Sequence, residues 1–241
     1  MIGKKLIHLT TVDSTNNYVA KLFKNGEITS GTVIMADKQT SGRGQRGNIW
    51  QSEAYANLML SFPLEVSKLP VKNFYAINHT VSLAVYDFIK LYCPETFIKW
   101  PNDTYVKTKK IAGILIENQL DSTGFKSSTI GIGVNINQTD FKNLNATSLY
   151  LETNQFHKPV DLIHTLIATL NKRFERLKTE GEEAVKQDFD EQLWLKNTPH
   201  RFSDHSQEFE GKIMETTIDG SLIIATADGE RIFRNGELVY L

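Results

Sequence analysis

Apolar positions along the chain switch between alternating and helical spacing, and the switches mark out the elements. Lys5–Thr11 reads as a short strand. Asp13 or Ser14 then caps a helix whose Tyr18, Val19, Leu22 and Phe23 share one face, and Gly26 ends it. Thr32–Asp37 is β-branched and apolar, a strand, and Asn57–Pro63 is the strand that returns after a glycine-rich loop. Phe74, Ile77, Val81, Ala84, Val85, Phe88 and Ile89 recur at helical spacing and predict a long core helix that ends before Pro94. Phe97–Trp100 is a strand stopped by the turn Pro101–Asn102–Asp103. Ile111–Asn118 and Ser128–Ile136 are two further strands joined by the polar turn Asp121–Gly124, and Asn137–Thr147 reads as a mobile loop. Leu162, Leu166, Ile167, Leu170, Phe174 and Leu177 mark another helix, terminated by Gly181.

After about Leu195 the texture changes. His200–Leu241 holds short β-like runs (Gly211–Thr217, Ser221–Thr226, Arg231–Arg234, Glu237–Leu241) separated by Asp219–Gly220, Asp228–Gly229 and Asn235–Gly236. These dipeptides are hairpin-turn signals. The expected organisation is a domain over residues 1–195 and a small all-β unit over 196–241 that leans on it.

Composition narrows the function classes. A chain of 241 residues with 40% hydrophobic and 23% charged residues can bury a sizeable core. Its formal net charge of −1 points to no nucleic-acid or membrane surface, so an anion site must be local. The single cysteine, Cys93, excludes an intramolecular disulfide and reads as packing. No signal peptide and no apolar run of roughly 18 residues is present, so a cytoplasmic location is the default. The histidines offer no HExxH-type zinc spacing.

The densest chemistry lies in Gly42–Trp50, GRGQRGNIW, with three glycines, two arginines and a tryptophan in one loop between two strands. Glycine lets backbone approach a ligand, arginine offers a charged fork for carboxylate or phosphate, and tryptophan offers a flat face. Three more segments accompany it: DSTNN (Asp13–Asn17), KWPND with KKIAGILIE (Lys99–Asp103, Lys109–Glu117), and GIGVNIN (Gly131–Asn137). In this combination and order the chain closely resembles the biotin protein ligases, strongly through Gly133–Asn137 and weakly to the C-terminus.

The resemblance implies an α+β fold: a mixed sheet with flanking helices related to class II aminoacyl-tRNA synthetases, plus a small C-terminal SH3-like β-barrel. The implied reaction is ATP-dependent attachment of biotin to a lysine of a biotin carboxyl carrier domain through biotinyl-5′-AMP, with Mg²⁺ offsetting charge. Some members carry an N-terminal winged helix. This chain begins about a dozen residues before DSTNN, so no such domain and no DNA binding are expected. Relatives include dimers, which leaves a homodimer open.

By the same resemblance Ser14, Thr15, Asn16 and Gln39 contact biotin, with Gly42, Gly44, Gln45 and Gly113 beside it. Arg43 steadies carboxylate and phosphate, and Lys110 rather than its neighbour Lys109 holds the α-phosphate. Trp50 packs against the adenylate; Asn102, Gly133 and Asn135 meet the nucleotide; Arg46 either touches phosphate or is solvated. Asp103 either helps hold Mg²⁺ or serves the Pro-Asn-Asp turn, and Phe141 or Leu144 is the candidate lid. Many members read GRGRRGR where this chain has Gln45 and Asn48, so two loop charges are missing and other groups are expected to help hold the adenylate. Competing readings are a lipoate–protein ligase of the same fold and a biotin-binding protein without turnover.

Overall fold

The computed structural model describes residues 1–66, 69, 71, 74–121 and 124–241, with only the backbone of 120, 121 and 124–126. The two central residues of the Asp121–Gly124 turn lie outside the described residues. Seven strands form one mixed sheet: β1 (Leu6–Val12), β2 (Val33–Gln39), β3 (Leu58–Glu65), β4 (Thr96–Lys99), β5 (Asp103–Val106), β6 (Lys109–Asp121) and β7 (Gly124–Val134). Their order is β1-β2-β3-β7-β6-β5-β4. Among the described residues β1 and β2 pair in parallel, joined through α1 (Thr15–Lys24), and the other strand pairs of this sheet are antiparallel.

Strand residues alternate between faces, and the sequence uses the two faces differently. Leu58, Leu60, Phe62, Ile130, Ile132, Val134, Ala112 and Ile114 belong to the main core with the helices α2 (Tyr75–Lys90) and α4 (Pro159–Glu191). Of the intervening positions, Ser61, Gly113, Gly131 and Gly133 are small, and Met59 is a buried methionine. Register puts Gly133 between Met59 and Gly113, and Gly131 between Ser61 and Leu115. The second face therefore carries a trough with side chains missing across adjacent strands, and α1 packs beside it with its own small cluster of Val19, Ile28 and Ile34.

Elements expected from periodicity are present within one to two residues at most ends. Gly26 closes α1 at φ 74°, and α2 stops at Lys90. The structure adds β5, the short α3 (Leu149–Thr153) and β8 (Pro199–Ser203), which four or five residues of mixed polarity did not signal. Gly181 does interrupt α4 (φ 85°, ψ −179°), but the helix resumes and buries Val185 and Phe189. Asn137–Thr147 forms no helix or strand, yet it is tied down: Lys110 N donates to the Asn145 carbonyl at 3.1 Å and Thr147 N to the Lys110 carbonyl at 2.8 Å. Phe141 is buried and Leu144 exposed.

The C-terminal strands β8, β9 (Glu208–Thr216), β10 (Leu222–Thr226), β11 (Gly229–Phe233) and β12 (Val239–Tyr240) form a second, antiparallel sheet in the order β11-β10-β9-β8-β12. This suits a small barrel-like unit, although β11 and β12 stay at opposite edges. Phe202, Ile213, Leu222, Ile224 and Phe233 join the main core without a break. Asp219–Gly220 and Asp228–Gly229 turn hairpins between paired strands. Asn235–Gly236 does not, because β12 pairs with β8 and not with β11.

Two buried titratable groups show what the core demands. Cys93 is buried and its thiol is pushed up to about 11 by burial, which suits packing and not nucleophilic chemistry. His79 on α2 is buried with its ring 4.2 Å from that of Phe189, and burial, then the Lys186 charge, lowers its pKa to about 3. The unfolded chain takes up that proton near pH 6.5 and the folded chain does not, so stability falls as pH drops from 6.5 toward 3. Between pH 7 and 5 the wild type should lose about 2 kcal/mol more stability than His79→Phe, read from urea midpoints at both pH values.

Candidate active site

One cavity of about 340 Å³ opens over the glycine trough, within the size range of small-molecule sites. Its first wall is the N-terminus of α1. Ser14 occupies the N-cap position with extended backbone and makes no side-chain cap bond, which leaves its hydroxyl to the cavity. Gln39 Oε1 accepts from Thr15 N at 2.7 Å and Thr15 Oγ1 at 3.0 Å. Ser61 Oγ stands 2.7 Å from Thr15 Oγ1 and 2.6 Å from Asn16 Oδ1, with its single proton to give to one of them. Thr15, Asn16 and Gln39, three of the residues expected at a polar ring, are thus linked in one network through Ser61, with Ser14 beside it.

The second wall is the glycine loop, a tight hairpin. Trp50 N donates to the Gly42 carbonyl at 3.0 Å and Gly44 N to the Asn48 carbonyl at 2.7 Å, with a one-turn 3₁₀ segment, Gln45–Gly47, at the tip. A Cβ on Gly42 would stand 2.5 Å from the Trp50 carbonyl oxygen, so this glycine serves the hairpin and does not itself line the cavity. Arg43 does. Its guanidinium reaches Asn17 Oδ1 at 2.6 Å and grips Glu117 through both nitrogens at 2.6 and 3.3 Å. Glu117 also accepts from Asn16 Nδ2 at 2.9 Å.

Lys110 and Asp103 make the third wall. Lys110 Nζ lies 2.7 Å from Asp103 Oδ1 and 5.6 Å from the centre of the Trp50 ring. Lys110 lines the cavity and Lys109 does not; Lys109 is exposed. Asn102 is buried, donates to the Ile114 carbonyl and also lines the cavity. The trough holds more side chain than the sequence suggested. The Trp50 ring covers Gly133, whose added Cβ would meet Trp50 Cε2 at 2.5 Å, and it reaches toward Gly113, whose added Cβ would meet Trp50 Cζ3 at 3.0 Å. Gly131 makes the same room for the Asn16 carboxamide.

Two buried polar atoms at this site have no hydrogen-bond partner among the described residues, Trp50 Nε1 and Asn135 Oδ1. A buried donor left unpaired costs free energy, so the indole N–H fits a ligand acceptor. Asn135 sits just behind the cavity rather than on it, with Nδ2 donating to the Thr147 carbonyl at 3.0 Å. Sequence reasoning missed Glu117, whose place at the end of KKIAGILIE was its only signal. It also missed Asn235 and Gly236, which line the cavity from the second sheet with no sequence signal. Lys99 of the KWPND run lies elsewhere. Its ammonium sits 4.5, 5.0 and 5.3 Å from the ring centres of Tyr240, Tyr105 and Trp194, and burial lowers its pKa.

Fold and cavity together define an α+β domain whose mixed sheet carries one cavity lined by glycines, polar side chains and the cations Arg43 and Lys110. The model of the Biotin/lipoate A/B protein ligase family matches residues 9–137, more than half of the chain. The bifunctional ligase/repressor BirA of Bacillus spizizenii is 28% identical over 236 residues, covering 95% of this chain and 72% of that protein. The biotin–[acetyl-CoA-carboxylase] ligase of Mycobacterium tuberculosis is 33% identical over 129 residues, covering 52% of this chain and 47% of that one. The biotin protein ligase from Aquifex aeolicus, solved in complex with biotin and ATP, superposes with a TM-score of 0.82 at 26% identity over 99% of this chain and 100% of that one. The chain belongs to the Biotin/lipoate A/B protein ligase family.

Proposed function

We propose that this protein attaches biotin to a lysine of a biotin carboxyl carrier domain, using ATP, through biotinyl-5′-AMP. The observation that carries the reading is the convergence of two cations, Lys110 and Arg43, on one cavity with Trp50 and the polar groups of Thr15, Asn16 and Gln39. In the first step a biotin carboxylate oxygen bonds to the α-phosphorus of ATP, the bond from that phosphorus to the β-bridging oxygen breaks, and pyrophosphate leaves. In the second, the neutral amine of the acceptor lysine bonds to the acyl carbon, the acyl–oxygen bond breaks, AMP carries off the electron pair, and the amine sheds its proton. Two anions must meet in the first step, so fixed cations offset their repulsion as charge develops. No enzyme nucleophile is required.

Ser14, Thr15, Asn16 and Gln39 take the ureido ring, since their network offers both donors and acceptors at one end of the cavity. Arg43 takes the carboxylate, which replaces Glu117 as its partner. Lys110 takes the α-phosphate, and Trp50, with its free indole N–H, takes the adenylate. Gly44 and Gln45 flank biotin; Arg46, Asn102, Gly133 and Asn135 serve the nucleotide side. Among the described residues no three acidic, histidine or cysteine side chains cluster as a metal cage. One carboxylate at the cavity, Asp103, fits an Mg²⁺ that arrives on ATP phosphates, where it would neutralise charge.

We keep residues 1–195 as the catalytic unit and 196–241 as the small β unit. The edge strand β1 is the place where a second copy could pair, and sedimentation decides that point. No helix among the described residues is long and apolar enough to cross a membrane. A cytoplasmic site of action suits the lone buried cysteine. The test is pyrophosphate–ATP exchange by the purified chain. Exchange that needs biotin and is not supported by lipoate is expected. Equal exchange with lipoate would favour a lipoate–protein ligase, and biotin binding without exchange a protein that only holds it.

A further inference from the structure

The tip of the glycine loop rests on the second sheet. Asn235 Nδ2 donates to Gln45 Oε1 at 3.2 Å, and the Arg46 guanidinium donates to the Asn235 carbonyl. The turn that presents these groups is braced from its own side. Arg234 N donates to Glu237 Oε2 at 2.8 Å, Glu237 N to the Arg234 carbonyl at 3.0 Å, and the Gly236 carbonyl meets His205 Nε2 at 2.9 Å. Gly236 has φ 85°, and a Cβ there would fall on the Arg46 guanidinium, so only glycine fits both the turn and the approach. Arg46 itself is a non-glycine residue at φ 55°. Such a conformation persists where its surroundings hold it, and the Asn235 carbonyl is what the Arg46 side chain finds. Asn235–Gly236 is also the hairpin signal that joins no hairpin, which leaves the turn free for this contact.

We propose that the Asn235–Gly236 turn is a positioning element that holds the glycine loop shut over the cavity, with Gln45 and Arg46 as the gripped residues. The proposal rests on the adenylating reading above, because a closed loop matters most when a water-sensitive acyl-adenylate must be kept between two steps. It also gives Gln45 a task. Where a charge at this position would reach for the ligand, the amide reaches for the second sheet and closes the loop by a protein contact.

The test uses the full chain and the variants Gln45→Ala, Asn235→Ala, Asn235→Asp and the double Gln45→Ala/Asn235→Ala. Asn235→Asp keeps an Asp-Gly turn and replaces the donor that faces Gln45 Oε1 by a charged acceptor. The first readout needs no ligand: trypsin cleavage after Arg43 and Arg46, at matched thermal stability. The second is the rate at which preformed biotinyl-AMP leaves the protein. Each single change should speed both by about 5–10-fold, the scale of one hydrogen bond. The double variant should be no faster than the faster single, since both break one contact. Unchanged cleavage in the single variants, or singles whose effects multiply in the double, would overturn the proposal. If the wild type forms no adenylate, the adenylating reading fails, and the latch is still decided by cleavage alone.

Discussion

Replacing Lys110 by alanine should lower biotin-dependent pyrophosphate–ATP exchange by about 10²–10³-fold, equivalent to about 2.7–4 kcal/mol of transition-state stabilisation. The size follows from where the ammonium stands. It is a partly buried point charge fixed by Asp103 at 2.7 Å and backed by the Trp50 ring, so it needs little reorganisation when charge builds on the α-phosphate. Lys110→Arg should restore little of the rate, because a planar fork cannot occupy a spot shaped for a compact ammonium between a carboxylate and an indole. Lys109→Ala is the matched control: that side chain is exposed and off the cavity, and its exchange rate should stay near wild type. Retention of exchange within about threefold in Lys110→Ala would move the phosphate-holding role to Arg43.

Periodicity read the sheet well because half of it obeys one rule. Leu58, Leu60 and Phe62 pack the helix side, and their intervening positions are free to serve the ligand. The same pattern hid β5 and β8, which are short and owe their pairing to neighbours fixed elsewhere in the chain. At the site, residue type plus resemblance named the larger part of the polar lining, Lys110 among it, but not Ile49, Leu115, Ile132, Asn235 or Gly236. Pairings between distant segments were not legible. Nothing at Glu117 says that it will neutralise Arg43, 74 positions away. Nothing at Asn235 says that it will reach Gln45, 190 positions away. Nor could spacing show that the glycine trough is occupied by protein, with Trp50 over Gly133 and Asn16 against Gly131. Those contacts depend on how the loop and α1 fall across the sheet, and three-dimensional packing decides that.

Asp190→Ala should destabilise the fold by about 3–5 kcal/mol, as much as emptying a large core position. Asp190 is buried near the end of α4, and it joins that helix to the second sheet. One carboxylate oxygen accepts from Thr216 N at 2.9 Å and Thr216 Oγ1 at 2.7 Å, on β9. The other accepts from Lys186 Nζ at 2.9 Å. Alanine would leave a buried ammonium with only the half-exposed Glu215 at 2.8 Å, and two donors of Thr216 unpaired in the core. Asp190→Asn separates the contributions: the amide oxygen can still accept from Thr216 while the ion pair is gone, so its loss should fall between wild type and alanine. Urea unfolding of the three proteins measures this directly. The consequence should reach the active site, because the sheet anchored by Thr216 also carries the Asn235–Gly236 turn. In native buffer Asp190→Ala should therefore expose the glycine loop to trypsin well before it unfolds globally, and a variant that loses stability yet keeps the loop protected would show that the turn is held by the loop and not by the sheet behind it.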